Sequence, residues 1–266
     1  MNETLDVMMR ALFKPWFVDF DPVRAKMEDR GTGMPGDIAD PFPDRLVDSE
    51  MEEVPEGWEV VTLGDVAVLR QQVIDPASVA GDTPYIGLAD IPRGSTALTV
   101  WRRAADVSRR TSALEAGDIL FGKVKPGFYK VGFAPLEGLC STDILALDAP
   151  KPQWSASLLA LVSSPAFIAR TSQTPTGNGT PRTGWRAMVS SELCWPANHI
   201  AAEFQRFDGP ILRQIRANIH ESRTLAALRD TLLSVLMSGA MRIREAAEMM
   251  GRTRDGGTGR NHLFDR

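Results

Sequence analysis

Apolar positions change their period four times along the chain. In "ETLDVMMRALFKPWF", Leu5, Met8, Met9, Leu12 and Phe13 recur at helical spacing, and Pro15 is expected to end or kink that helix. From Gly31 to Gly57 the periodicity lapses into Gly, Pro and acids, the composition of an exposed linker. From "WEVVTLGDVAVLR" to "ANHI", short β-rich runs at 84–88, 118–124 and 144–147 alternate with turns and a helix around 157–169, the texture of a compact mixed domain. Helical spacing returns from Ala202 to about Leu236, with Phe204, Phe207, Ile211, Ile215 and Ile219 followed by Leu225, Leu228, Leu232 and Val235 in 3-4-3 steps, the pattern of a helix seam. Gly209-Pro210 is expected to kink this helix early, and "GRTRDGGTGRNHLFDR" reads as a disordered tail. The predicted class is α+β: a mixed α/β domain flanked by an N-terminal helix and a long C-terminal helix able to form a coiled coil. The predicted boundaries are 1–30, 31–56, 57–200, 201–245 and 246–266.

A repeat links the two helical ends. Setting residues 2–13 over 222–233 aligns Thr4 with Thr224, Leu5 with Leu225, Met8 with Leu228 and Leu12 with Leu232. Any two amphipathic helices share apolar spacing, but these two flank one domain, as in one full unit preceded by the end of another.

Composition narrows the class. At 266 residues and 43% apolar, the chain can bury one sizeable core plus an extension. The longest apolar run, Leu158 to Val162, is far too short to span a bilayer, and the N-terminus carries acids where a signal peptide is basic and apolar, so a cytoplasmic protein is expected. Cys140 and Cys194 have neither a second pair nor a histidine cluster, which indicates small buried hydrophobes and neither a disulfide framework nor a zinc site. The net charge of −4 hides an asymmetry: residues 1–60 carry −9, whereas 93–130 carry +5. A basic patch on an acidic chain can still steer a polyanion to one face.

Half of the six lysines fall in "GKVKPGFYK", residues 122–130. Continued strand alternation would place Lys123 and Lys125 on one face, with Pro126-Gly127 at the centre of a tight turn. Ammonium groups bind phosphate as point charges, and Tyr129 can add a hydrogen bond and an aromatic face. Lysines that guard a sheet edge against aggregation give the same pattern. Arg93, Arg102, Arg103, Arg109 and Arg110 lie between two predicted strands, and Arg182 follows the glycine-rich "TGNGTP"; a guanidinium can read a guanine edge through two parallel hydrogen bonds, although surface arginines are commonly just solvated.

A search for catalytic groups finds no nucleotide-cofactor glycine motif, no Asn-Pro-Pro-aromatic loop, no acid two residues before a lysine, and no ligand or triad spacing among His199, His220 and His262. Asp19 and Asp21 in "DFDP" read as an acid capping a helix with proline at its start.

The stretches "FKPWFVDFDPVRAK", "VPEGWEVVTLGDV", "YIGLADIPRG", "GDILFGKVKPGFYKVGFAP", "CSTDILAL", "GNGTPRTGW" and "RTLAALRDTLLSVLMSGAMRI" closely resemble the specificity (S) subunit of Type I restriction-modification enzymes, over nearly all of Asn2 to Ile243. In that family two target recognition domains alternate with two conserved helical regions that pair antiparallel. The resemblance implies the end of the central helical region (1–30), a linker (31–56), the second recognition domain (57–200) and the distal conserved helix (201–245). The family's first recognition domain and the start of its central helix have no counterpart here, and Ser234 stands where proline is common.

What the resemblance implies is a non-catalytic, cofactor-free subunit that reads one half of a bipartite double-stranded DNA target. It docks modification (methyltransferase) and restriction subunits, with no membrane role. Lys123, Lys125, Tyr129, Lys130, Arg93, Arg102, Arg103 and Arg182 are the implied DNA-facing residues. Leu225, Leu228, Leu232 and Val235 form the implied seam for a second copy or a separate N-terminal half. A truncated module that binds only partner subunits and a stand-alone DNA-modifying enzyme are the alternatives.

Overall fold

A computed structural model describes residues 1–49, 53–70, 72–172 and 183–237. The first apolar repeat forms α1 (Asn2–Phe17), which buries Met9, Phe13, Trp16 and Phe17 on one face. Pro15 does not end α1, which runs two residues past it. So close to the terminus, a missing N–H removes little of the ladder, and the Val18 and Asp19 amides both close on the Lys14 carbonyl at 3.0 and 2.9 Å. The expected acid cap on α2 (Asp21–Met27) is not formed. Its N-cap is Phe20 in a left-handed conformation (φ 55°) without a side-chain cap bond, while Asp19 pairs with Lys14. Asp21 instead opens the helix, where a negative charge complements the dipole, and Pro22 sits in the first turn.

The segment expected as an exposed linker forms α3 (Gly36–Ala39) and a hairpin of β1 (Leu46–Asp48) with β2 (Glu53–Pro55). It also buries Ile38, Ala39, Phe42 and Val54. Phe42 packs its ring 5.1 Å from Trp16, edge to face. Apolar residues too sparse to show a period can still each reach a core cluster.

Short strands follow: β3 (Glu59–Thr62), then α4 (Leu63–Val66), opened by a Thr62–Asp65 capping box, then β4 (Val68–Leu69), β5 (Val73–Ile74), β6 (Pro84–Ile86), β7 (Arg102–Arg103) and β8 (Thr111–Leu114). Next come β9 (Ile119–Gly122), β10 (Val131–Phe133), β11 (Gly138–Ser141) and β12 (Ile144–Asp148). The helix expected at 157–169 is two helices, α5 (Ser155–Ser163) and α6 (Pro165–Ser172). Pro165 forces Ser164 into an extended conformation (ψ 144°) between them. The chain then passes through α7 (Trp185–Met188) and β13 (Glu192–Trp195) to α8 (Asn198–Met237).

Among the described residues, β10-β9-β12-β4 form an antiparallel sheet, β5-β8-β11-β6-β7 a mixed sheet in which β11 and β6 run parallel, and β13-β3 a two-stranded ribbon. One core cluster joins α1, α5, α6, both strands of the ribbon, β9, β10 and β12 of the antiparallel sheet, and the first half of α8. At its centre Phe204 lies 4.7 Å from Phe17 and 5.7 Å from Trp16, and Trp58 lies 5.7 Å from Phe17. The apolar spacing that predicted α1 and α8 therefore packs α1 and the first part of α8 into the same core as the sheets. Met1–Ile219 forms one compact unit, and the described residues from His220 onward, the last part of α8, belong to a second.

In the second unit the predicted seam is not a uniformly open stripe. Leu225 is 57% exposed, Leu228 and Val235 are half-buried, and Leu232 is buried at 7%. The aligned repeat is unequal as well: Met8 is exposed on α1 while its neighbour Met9 is buried. The tail expected from 246 lies outside the described residues. No helix among those described is long and apolar enough to cross a membrane.

Candidate nucleic-acid interface

The lysine-rich stretch is a turn between β9 and β10 and does not continue the strand. β9 stops at Gly122, where a side chain would meet Leu88 Cδ1 at 2.8 Å and the Lys130 backbone at 3.3 Å. Lys123 and Lys125 accordingly do not share a strand face as expected. Lys125 turns left-handed (φ 49°), and the Phe128 amide donates to its carbonyl at 2.9 Å, placing Pro126-Gly127 at the centre of the turn. Tyr129 is left-handed too (φ 54°). Two such residues among five cost roughly 1–2 kcal/mol each, and strain of this kind gathers at binding sites. It places Phe128 and Tyr129 at the surface, each 39% exposed.

Around this turn the candidate cations divide into two groups. Lys123 Nζ donates to the Thr142 carbonyl at 2.5 Å, and Lys130 Nζ to the Leu88 carbonyl at 2.6 Å. Burial pulls the Lys130 amine below its ordinary pKa, the nearby Arg93 charge pulls the same way, and Asp90 opposes them. Arg102 faces Asp90 Oδ2 at 3.4 Å and lies over the Tyr85 ring at 5.1 Å. These three are tied to their own fold. Arg93 and Lys125 instead bear on the Phe128 ring, with Cζ 4.1 Å and Nζ 5.2 Å from its centroid, and both side chains are exposed. Aromatic faces hold such cations in place while leaving their hydrogens outward. Arg103, Arg109 and Arg110 are exposed on and after β7. Arg182 and the glycine-rich loop before it lie outside the described residues.

The base under the turn is stiff. Tyr129 accepts from the Gly94 amide at 3.1 Å. Two residues on, buried Thr96 is clamped to Asp6 of α1, its hydroxyl donating to Oδ1 at 2.7 Å and its amide to Oδ2 at 3.2 Å. Asp6 also pairs with Arg10 at 3.2 Å. Arg70 donates to Asp118, just before β9, through two nitrogens, at 2.8 and 3.0 Å, and to Glu115 at 2.8 Å, an arrangement that raises its pKa. Burial pushes both cysteine thiols up to about 12, with Asp118 adding to the effect at Cys140. They stay protonated and are poor nucleophiles. Cys140 is fully buried, as expected, and Cys194 is half-buried.

Sequence reasoning singled out Arg93 and Lys125 but gave no role to Phe128, which touches both, nor to Asp90, which occupies Arg102. The pairing of Arg93 with Phe128 spans 35 positions and leaves no local signal. Phe128 beside two lysines was the visible half of it.

The chain is thus an α+β protein in which flanking helices share a core with a sheet domain and an exposed basic-aromatic turn lies between β9 and β10. No family model matches the chain. It is 22% identical over 298 aligned positions to the Type I restriction enzyme HindI specificity subunit of Haemophilus influenzae, covering 90% of this chain and 62% of that protein. Its fold matches the crystal structure of the HsdS subunit from Thermoanaerobacter tengcongensis with a TM-score of 0.50 at 18% identity, over 71% of this chain and 50% of that one. A structure of the type I R-M system aligns with a TM-score of 0.47 and 21% identity, over 70% of this chain and 49% of that one. The chain is thus similar to a specificity subunit of a Type I restriction enzyme and spans about three-fifths of that relative's length.

Proposed function

We propose that this chain is the DNA-recognition component of a Type I restriction-modification complex, non-catalytic itself, reading one half of a bipartite double-stranded target with the region around 57–200. The observation that carries this reading is the strained turn 125–129, which holds two exposed aromatic rings beside the outward cations Arg93 and Lys125. Phosphate-positioning charge next to stackable and edge-reading groups is what sequence-selective DNA binding needs. In this reading the conserved helices dock the modification and restriction subunits. The exposed seam residue Leu225, with Leu228, Leu232 and Val235 along the same helix, pairs with a second copy or with a separate half subunit. The complex works in the cytoplasm.

Methylome sequencing tests the reading. Cells carrying the matching modification subunit should methylate a defined bipartite motif only when this chain is present. Complex formation with no change in methylation would favour a module that merely competes for partner subunits.

A further inference from the structure

We infer that Arg93 is a residue of this chain that reads a base, that the base is a guanine approached from the major groove, and that Phe128 is its positioning residue. This rests on the reading of the chain as a DNA-recognition subunit. The structure sorts the candidates by what already occupies them. Lys123 and Lys130 each hold one ammonium hydrogen on a carbonyl, of Thr142 and Leu88, and Arg102 faces Asp90, so these three charges are anchored to their own fold. Lys125 is open but, as an ammonium, offers a point charge suited to phosphate. Arg93 has its guanidinium against the Phe128 ring, 4.1 Å from the centroid, and no carboxylate partner among the described residues. Stacking uses the face of the guanidinium and leaves its in-plane N–H groups open, and that fork matches the two acceptors, O6 and N7, on a guanine edge.

Preorganisation strengthens the assignment. A long arginine free in solvent loses much rotamer freedom on binding; one stacked beforehand loses less. Both ends of the Arg93 loop are fixed. Ile91 is buried, and Thr96 is held by Asp6 and accepts the Phe133 amide at 3.0 Å. Its ring partner is fixed by the Lys125–Phe128 turn bond and by the bond between Gly94 and Tyr129. Guanidinium, ring and backbone thus stand in one arrangement before DNA arrives. Arg103, Arg109 and Arg110 are exposed without such a support, which suits contacts to phosphate that carry no base identity.

The test uses the whole chain assembled with its modification subunit, profiled against a library of randomised DNA targets for binding and for methylation. Arg93→Lys keeps the charge and loses the fork. It should relax preference at one G·C pair by about 10- to 100-fold and leave the other positions and the salt dependence unchanged. Phe128→Leu should relax the same base pair to a smaller degree, Phe128→Trp should restore it, and Arg93→Lys combined with Phe128→Leu should be no less selective than Arg93→Lys alone. A purely structural role for Phe128 would instead lower affinity at every position. Unchanged selectivity in Arg93→Lys, or a uniform loss across positions, overturns the assignment while wild type remains selective. A wild-type complex with no sequence preference overturns the recognition reading itself, and this assignment with it.

Discussion

Truncating Lys123, Lys125 and Lys130 to alanine one at a time should separate charge that faces DNA from charge that holds the fold. Lys130 Nζ sits 2.6 Å from the Leu88 carbonyl in a half-buried setting, and removing it leaves that carbonyl without its partner. The cost of an unpaired buried acceptor is about 1–3 kcal/mol, which lowers the melting temperature by roughly 2–4 °C per kcal/mol for a chain of this size. Lys123 makes a 2.5 Å bond in a more exposed setting, where water can replace the ammonium, so its loss should cost about 1 kcal/mol or less. Lys125 touches the Phe128 ring from 5.2 Å, and its truncation should barely move the melting temperature. The DNA readout should run the opposite way. The slope of log affinity against log salt should shallow by about 0.9 for Lys125→Ala and stay the same for the other two. Thermal melts of the purified chain and fluorescence-anisotropy titrations of the assembled complex between 50 and 200 mM salt measure both quantities. Equal slope changes for all three lysines would refute the sorting by hydrogen-bond occupancy, as would a stability loss at Lys125 larger than at Lys130.

Other positions carry separate expectations. Asp208 on α8 is fully buried, neither of its oxygens has a hydrogen-bond partner among the described residues, and burial pushes its pKa from 3.8 up to about 7. A raised carboxyl pKa costs nothing below pH 4, erodes stability as pH climbs towards 7, and costs a constant amount above, at most about 4 kcal/mol at about 1.4 kcal/mol per pH unit; Asp208→Asn should therefore melt several degrees above wild type at pH 8 and level with it at pH 4, and equal gains at both would show that the carboxyl does not titrate in this range. Arg70→Met strands the buried Asp118 carboxylate and should lower the unfolding free energy by about 3 kcal/mol in urea titrations, with Asp118→Asn in the same chain recovering most of it. Leu228→Asp with Leu232→Asp should halve the mass of the purified chain in solution if the seam pairs copies; an identical mass for variant and wild type would remove the seam as a self-assembly surface. Inserting four residues after Leu225 adds about 6 Å of helix at about 1.5 Å per residue and should lengthen the unread spacer between methylated half-sites by about two base pairs at about 3.4 Å each, and an unchanged spacer would mean that this helix does not set the distance.

What was legible in the sequence follows from how far each signal reaches along the chain. The 3.6-residue period of α1 and α8 is local, and both helices stand close to where the spacing puts them, at Asn2–Phe17 and Asn198–Met237. Where competition between local and tertiary terms decides, the local pattern misleads. Pro15 reads as a stop, yet the aromatic packing of Trp16 and Phe17 beyond it holds the last turn in place. Phe42 reads as part of a linker, yet it fills a notch beside Trp16. The interface shows the same division more sharply. Gathering lysines at 123–130 marks the turn between β9 and β10, because charge and Pro-Gly chemistry are visible in nine consecutive residues. Which of those charges is open depends on carbonyls at Leu88 and Thr142 and on Asp90 beside Arg102, all brought in by other parts of the fold. Strand alternation predicted Lys123 and Lys125 as equivalent neighbours, whereas β9 ends at Gly122 and Lys125 turns left-handed, so one ammonium meets a carbonyl and the other an aromatic face. A sequence can therefore say where charge gathers before it can say which side chains there are already partnered. Hydrogen-bond occupancy bears on that second question, and around the turn Arg93 and Lys125 rest on an aromatic ring where Lys123, Lys130 and Arg102 face oxygen atoms of their own fold.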